Sequence, residues 1–417
     1  MAISIPFADR DLAIEIPQNR LLGVLQPGKS QPLDQGVAIS GAARQPSAGP
    51  SLRDFARPGE PVLVIVNDAT RPTPTAAMLE ALWDDICDWD LSFLVATGTH
   101  RAPSQAELGQ MFGSFWSQLE NRVSIHDASD EAGLAHLGIT SAGTEIFLNR
   151  RAVAAGKILA LGSVEPHYFA GYTGGRKIVL PGISGRSTIE QNHKLALELA
   201  ARALVLEGNP VHGDMDEALG FLLSRPGLDL FAVQAVLDRD GGIYHVTAGP
   251  ARAAFARAVP RVDELFALPA PQRADIVIAV MTPPLDIDFY QSQKGIENGQ
   301  LILNDGGILI IVSACRAGIG NDRFLRLMRQ CGSPSQVISE ATGGYRLGYH
   351  KAARLARVAQ RAQIWAVVGV EAETVRSAFM RPFAHLQEAV NEALDTKPDG
   401  QAWLLMDAGS VVPVLRS

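Results

Sequence analysis

Short apolar runs recur along this chain, each four to seven residues long and rich in Val, Ile and Leu. They are Val62–Val66, Phe93–Ala96, Ile158–Leu161, Phe231–Leu237, Ile276–Met281, Ile308–Val312, Ile364–Val368 and Trp403–Met406. Most are followed by a Gly, Pro, Thr or Asp cluster and then by a stretch of helical period, so they read as strands buried on both faces. Strands of that kind, alternating with helices, require parallel sheets covered on both sides. The predicted fold class is α/β. The stretch after the first run shows the pattern: Thr73 is a candidate N-cap, Pro74 suits the first helical position, and Met78, Leu79, Leu82, Trp83 and Ile86 form one apolar stripe.

A chain of 417 residues exceeds what one compact core holds. The sequence FALPAPQRA, with two prolines just before DIVIAVM, suggests the boundary between a larger N-terminal domain, 1–268, and a smaller C-terminal domain, 269–417, whose last residues return to the first. Residues 1–60 read as a poorly patterned lead-in, because 25–60 are rich in Pro, Gly, Ser and Gln without apolar periodicity.

With 37 Lys+Arg against 44 Asp+Glu and no dense basic run, a nucleic-acid footprint and an anionic-membrane surface are excluded, and a small ligand is expected. The N-terminal residues lack a secretory pattern, and no stretch reaches the length of a bilayer span, so a cytoplasmic protein is expected. Cys87, Cys315 and Cys331 are widely spaced and odd in number, which fits buried reduced thiols better than a disulfide framework or a metal site.

Open parallel sheets bind ligands beyond the carboxyl ends of their strands, so the residues straight after each apolar run carry the chemistry. After the first run comes Asn67-Asp68-Ala69-Thr70-Arg71-Pro72-Thr73-Pro74, which sets a carboxylate, a guanidinium and two hydroxyls ahead of a helix N-terminus. It reads as an anion site or as a solvated cap and turn. The second run ends in Thr97-Gly98-Thr99-His100-Arg101, one imidazole at the crevice edge. The third loop, Gly162 to Gly182, contains Glu165-Pro166-His167 and Gly174-Gly175-Arg176-Lys177; its glycines let the backbone approach a ligand, and Lys177 enters an apolar segment, which is costly unless the amine is used or paired. Ser187 to Glu190 fits a capping box, and the helix it starts puts Ile189, His193, Ala196, Leu197 and Ala200 on one face. An inward His193 is either a satisfied core histidine or a metal ligand. Further on, Gln291 and Lys294 share a helical face, able to close on a carboxylate or simply solvated.

Taken together, DATRPTP, ATGTHR, EPHYFAGYTGGRKIVLPGISG, the Asn192-His193 pair, GNPVHGDMDEA and YQSQKGIENG resemble, in this order, the nickel-dependent lactate racemase family, over about Pro61 to Gly320. What the resemblance implies is a nickel-pincer nucleotide, a modified nicotinic acid mononucleotide tethered through a thioamide to Lys177, with its nickel held by His193. It implies His100 and His167 as the catalytic acid/base pair. Asp68, Thr70, Arg71 and Thr73, with Gly174 and Gly175, fall to cofactor binding; Arg71, Tyr290, Gln291 and Lys294 fall to substrate binding. The expected activity is racemisation or epimerisation at C2 of a 2-hydroxy acid by proton-coupled hydride transfer, in a cleft between two domains that closes about a hinge near 266–274. Lactate, malate, another 2-hydroxy acid and a sugar acid all stay open as substrates. Proteins that build and insert the cofactor are the expected partners.

Two rivals stand beside this reading. Schiff-base chemistry at Lys177 explains the lysine and the glycines but leaves three histidines idle. A non-catalytic binder of a nucleotide-like ligand would need neither His100 nor His167. Gly348–Ala352 has no assigned role, and His126, His136, His212, His245 and His385 are expected to be surface or structural residues.

Overall fold

The computed structural model describes residues 2–28 and 30–416 and divides them into two compact units. One takes the residues up to Gly28 together with those from Leu265 onward, and the other takes the residues between them, up to Glu264. They are called here the terminal unit and the middle unit.

All eight apolar runs are strands, six of them in full. The middle unit is built on a six-stranded sheet in the order Ile243–Pro250, Asp229–Leu237, Lys157–Ser163, Pro61–Asn67, Asp90–Ala96, Val123–Ile125. All neighbours are parallel except the first pair, where Ile243–Pro250 runs antiparallel as an edge. One face is covered by the helices Gln35–Arg44 and Thr75–Ile86, which bury Ile39, Ala43, Met78, Leu79, Leu82 and Ile86 against Val64, Val66, Phe93 and Val233. Leu, Met and Ile at helical spacing pack on a Val-rich strand face, and each fully buried side chain of this size contributes about 2 kcal/mol from apolar burial.

The terminal unit has a second six-stranded sheet, parallel throughout: Arg381–Pro382, Gln363–Val368, Leu303–Ser313, Ala274–Val280, Ala402–Leu405, Leu21–Leu25. Its outer strand corrects the expected domain division. Residues 1–28 belong with the C-terminal part, because Leu21–Leu25 pairs with Ala402–Leu405 and because Ile5, Ile14 and Ile16 of the preceding hairpin are buried beside Ile276, Ile310 and Leu404. The last strand, Val412–Leu415, pairs with Ala267–Ala270 inside the terminal unit and does not return to the middle one.

The lead-in is more ordered than its composition suggests. Gln35–Arg44 is a helix capped by Asp34, whose side chain accepts from the Val37 amide, and Leu52 is fully buried. Two expected caps are not made by the residues named for them. The helix after the first strand starts at Thr75 with no side-chain cap, and Arg186–Lys194 starts after Gly185, also without one. The hydroxyl of Thr73 goes instead to Asn67 and Ser163, and Ser187 lies inside its helix, one residue past the start. Ala200 lies past the end of that helix and is exposed. Of the cysteines, Cys315 and Cys331 are buried free thiols, whereas Cys87 is exposed. Among the described residues no helix is long and apolar enough to cross a membrane.

Candidate active site

Because Pro61–Asn67 lies between Asp90–Ala96 and Lys157–Ser163, the three loops singled out above emerge side by side at the carboxyl end of the middle sheet. Asp68, only 4% exposed, anchors the first. Its Oδ1 accepts from the Thr70 amide (3.2 Å) and the Thr70 hydroxyl (2.7 Å), and its Oδ2 lies 2.7 Å from His100 Nδ1. Burial alone would raise the Asp68 carboxyl. The hydrogen bond and charge of His100, the Thr70 hydroxyl and the Arg71 charge outweigh it and hold the group below its ordinary value. An ionised carboxylate can only accept, so His100 donates from Nδ1, and in the neutral form of the ring the lone pair is the one on Nε2. Thr73 bridges Asn67 Oδ1 and Ser163 Oγ, both at 2.9 Å, and so ties the first loop to the third. Arg71 is half-buried and makes no ion pair among the described residues.

In the third loop the pairs Pro166↔Tyr172 and His167↔Gly171 form a short hairpin that carries His167 inward. The imidazole is 8% exposed; Nδ1 accepts from the Ala170 amide (3.3 Å) and Nε2 lies 3.4 Å from Lys177 Nζ. Lys177 sits in the single turn Gly175–Ile178 and is equally buried. The Phe169 ring is the common neighbour: His167 meets it edge-on at 4.5 Å between centroids, His193 edge-on at 5.2 Å, and Lys177 Nζ at 5.6 Å from its centroid. Burial, then the charge of Lys177, pushes His193 down to about 3 against a hydrogen bond to Ile189; the charge of His100 also reaches it. At neutral pH His193 is therefore an uncharged imidazole, the form a metal takes up. The middle unit thus gathers His100, His167, Lys177 and His193.

The packing around Gly174 and Gly175 also requires glycine. Both have positive φ (+74° and +52°), and a Cβ on Gly174 would lie 2.6 Å from Val164 Cγ2 and from Gln234 Oε1, one on Gly175 2.8 Å from the Phe255 ring. The turn that presents Lys177 is packed against protein and anchored by Gln234, which accepts from the Gly175 amide.

Among the described residues no group of three or more His, Cys, Asp or Glu is gathered to hold a metal. A pincer group that brings its own donors and needs one imidazole and one amine fits what is present. His193 would hold the nickel and Lys177 would carry the tether.

In the terminal unit, taken by itself, Tyr290, Gln291 and Lys294 lie on the helix Phe289–Gly299, whose cap Asp288 accepts from the Gln291 amide at 2.6 Å. The segment Gly348–Ala352 reaches the same place, as the start of the helix Tyr349–Arg361. Lys351 Nζ donates to the Tyr290 carbonyl at 2.5 Å and lies 3.8 Å from the Tyr290 ring centroid. Burial and then the charge of Lys294 push Lys351 down to about 7. Sequence reasoning did not find Phe169, the Asp68–His100 contact or Lys351 as a neighbour of Tyr290. Only the aromatic beside His167 carried a local signal.

A family model described as the lactate racemase N-terminal domain matches residues 7–203, and one described as the lactate racemase C-terminal domain matches 270–413. The class so defined is a two-domain α/β isomerase of the racemase type. A lactate racemase of Thermoanaerobacterium thermosaccharolyticum is 31% identical over 94% of both chains, and one of Lactiplantibacillus plantarum is 30% identical over 83% of this chain and 82% of the other. The chain belongs to the lactate racemase family. The solved lactate racemase apoprotein from T. thermosaccharolyticum superposes with a TM-score of 0.92 at 30% identity, covering 99% of this chain and all of that one. A Thermotoga maritima protein, 17% identical, shares the fold with a TM-score of 0.71 over 93% of this chain and all of that one.

Proposed function

We propose that this protein is a racemase or epimerase that inverts C2 of a small 2-hydroxy acid, lactate being the first candidate, with a nickel-pincer nucleotide tethered at Lys177 and its nickel held by His193. The observation that carries the reading is the cluster around Phe169: a buried amine, a neutral imidazole suited to a metal, and His167, with His100 held by Asp68 on a loop that leaves the same end of the sheet. Removing the C2 proton of such an acid would build a carbanion beside a carboxylate, which resists it, so a hydride route is the lower one. When bound, the nucleotide supplies the hydride chemistry at C2. The chain's own residues move the hydroxyl proton. His100 Nε2, unprotonated when the neutral ring donates from Nδ1 to Asp68, takes it from one enantiomer, and His167, on a separate loop with Nδ1 accepting from the Ala170 amide and hence a proton on Nε2, returns one to the hydroxyl oxygen of the other; the reverse reaction exchanges their roles. One imidazole could not attend both faces of one carbon. Arg71, with a planar fork and no carboxylate of its own, binds the substrate carboxylate. Tyr290, Gln291 and Lys294 are assigned to substrate binding on the resemblance alone.

Protein co-produced with cofactor-making proteins should carry nickel and a borohydride-insensitive mass adduct on Lys177, and should erase the optical activity of lactate or another 2-hydroxy acid. His100→Ala and His167→Ala should each lower kcat by about 10²-fold or more while the adduct persists. A borohydride-trapped adduct would favour a Schiff base, and full activity in both variants a mere carrier.

A further inference from the structure

The strongest unexplained side chain lies next to the tether. Arg176 is 1% exposed, yet among the described residues it has no carboxylate within ion-pair distance, and its Nε and Nη1 have no hydrogen-bond partner. Its guanidinium rests on the Phe255 ring at 4.5 Å, and Nη2 donates to the carbonyls of Ala170 (2.6 Å) and Tyr172 (3.1 Å). Burial lowers it to about 9. A cation so placed is a poor source of stability, since a buried ion is often replaced by a well-packed apolar side chain at little loss.

Its two carbonyl partners give it another use. Both belong to the hairpin that carries His167, and the Ala170 amide donates to His167 Nδ1. Arg176 also precedes Lys177 in the turn Gly175–Ile178, and Lys177 Nζ meets His167 Nε2. The contacts close a ring: Arg176 to Ala170, Ala170 to His167, His167 to Lys177, and Lys177 back to Arg176 through the chain. Removing the guanidinium opens that ring and leaves the contact of His167 with Lys177 without the two hydrogen bonds that tie the hairpin backbone to the turn.

We propose that Arg176 is a positioning residue that locks the imidazole of His167 against the amine of Lys177, and so sets both the tethering of the cofactor and the geometry of proton transfer. This rests on the function proposed above. The test compares wild type, Arg176→Met and Arg176→Lys, each co-produced with cofactor-making proteins, by intact mass, thermal unfolding and lactate racemisation. Arg176→Met should unfold within about 3 °C of wild type, since loss of an unpaired buried charge offsets loss of two hydrogen bonds. It should carry a smaller fraction of the Lys177 adduct, and its loaded fraction should lose about 10²-fold in kcat, the scale expected of a small misplacement, with KM changed by no more than about twofold. Arg176→Lys, which can still donate to a carbonyl, should recover part of both. Wild-type loading and kcat in Arg176→Met would overturn the proposal. So would failure of both variants to fold, which would make Arg176 a folding residue. If wild-type protein carries the adduct but turns over no 2-hydroxy acid, the proposed function fails instead, and the adduct fraction still decides the role of Arg176.

Discussion

Asp68 acts through the tautomer it permits His100. The carboxylate is ionised and buried, so Nδ1 must donate to it, and the proton-accepting lone pair of the neutral ring is left on Nε2. Asp68→Asn keeps the shape but offers an amide whose NH2 can donate to Nδ1, which would move the imidazole proton to Nε2 and disable the base. The expected result is a fall in kcat of about 10² to 10⁴-fold, with the Lys177 adduct still formed, read by racemisation kinetics beside intact mass. Loss of the adduct with kcat per loaded site unchanged would assign Asp68 to cofactor retention instead. The residue types of this site were legible as chemistry, but their pairing was not. Asp68 and His100 lie on separate loops, each of which reads equally well as a solvated turn, and only the parallel pairing of Asn67 with Ala96 sets them together.

At the scale of elements, strands were legible and caps were not. An apolar run of Val, Ile and Leu is buried on both faces wherever it lies in a parallel sheet, so all eight runs were found from local pattern. A hydroxyl near a helix start is different, because tertiary partners compete for it; Thr73 binds Asn67 and Ser163 in place of its own helix. The edge strand Leu21–Leu25 was missed for a related reason. It is only partly buried, and its partner lies at Ala402–Leu405, at the far end of the chain. The glycines before Lys177 were legible as special, but their packing against Val164, Gln234 and Phe255 was not. Gly174→Ala would place a methyl group against Val164 and Gln234 on a left-handed backbone, and should cost about 2 kcal/mol or more, a fall in Tm of about 5 °C. Calorimetry would check this, with adduct formation at Lys177 as the second readout. An unchanged Tm would mean that the turn relaxes freely and does not hold the amine in place.

Considered as a whole, the molecule carries basic groups held below their ordinary values in both units, four histidines in the middle unit and Lys351 in the terminal one, and these titrate in different windows. In the middle unit His126, His193, His212 and His245 are all held below the ordinary histidine value, chiefly by burial, His193 to about 3 and His212 to about 4. Below about pH 6.5 the unfolded chain takes up protons at these positions that the folded unit refuses, so the unit should lose stability progressively as pH falls toward 4, and gain nothing from them above 7. In the terminal unit Lys351 is held at about 7, well below a free lysine, so between pH 7 and 10 the unfolded chain binds a proton that the folded unit lacks. That contribution makes the terminal unit more stable as pH rises, until Tyr290, raised to about 12 by burial and Asp288, begins to oppose it above 10. Hydrogen exchange read by mass spectrometry separates the two effects. From pH 7 to 5, once intrinsic exchange rates are corrected, protection should fall in peptides from the strands Pro61–Asn67 and Lys157–Ser163. From pH 7 to 9 it should rise in those from Ala274–Val280 and Leu303–Ser313, and Lys351→Met should abolish the rise. A rise that survives Lys351→Met would place its origin outside this lysine, and equal acid sensitivity in both units would show that the four histidines do not govern the lower window.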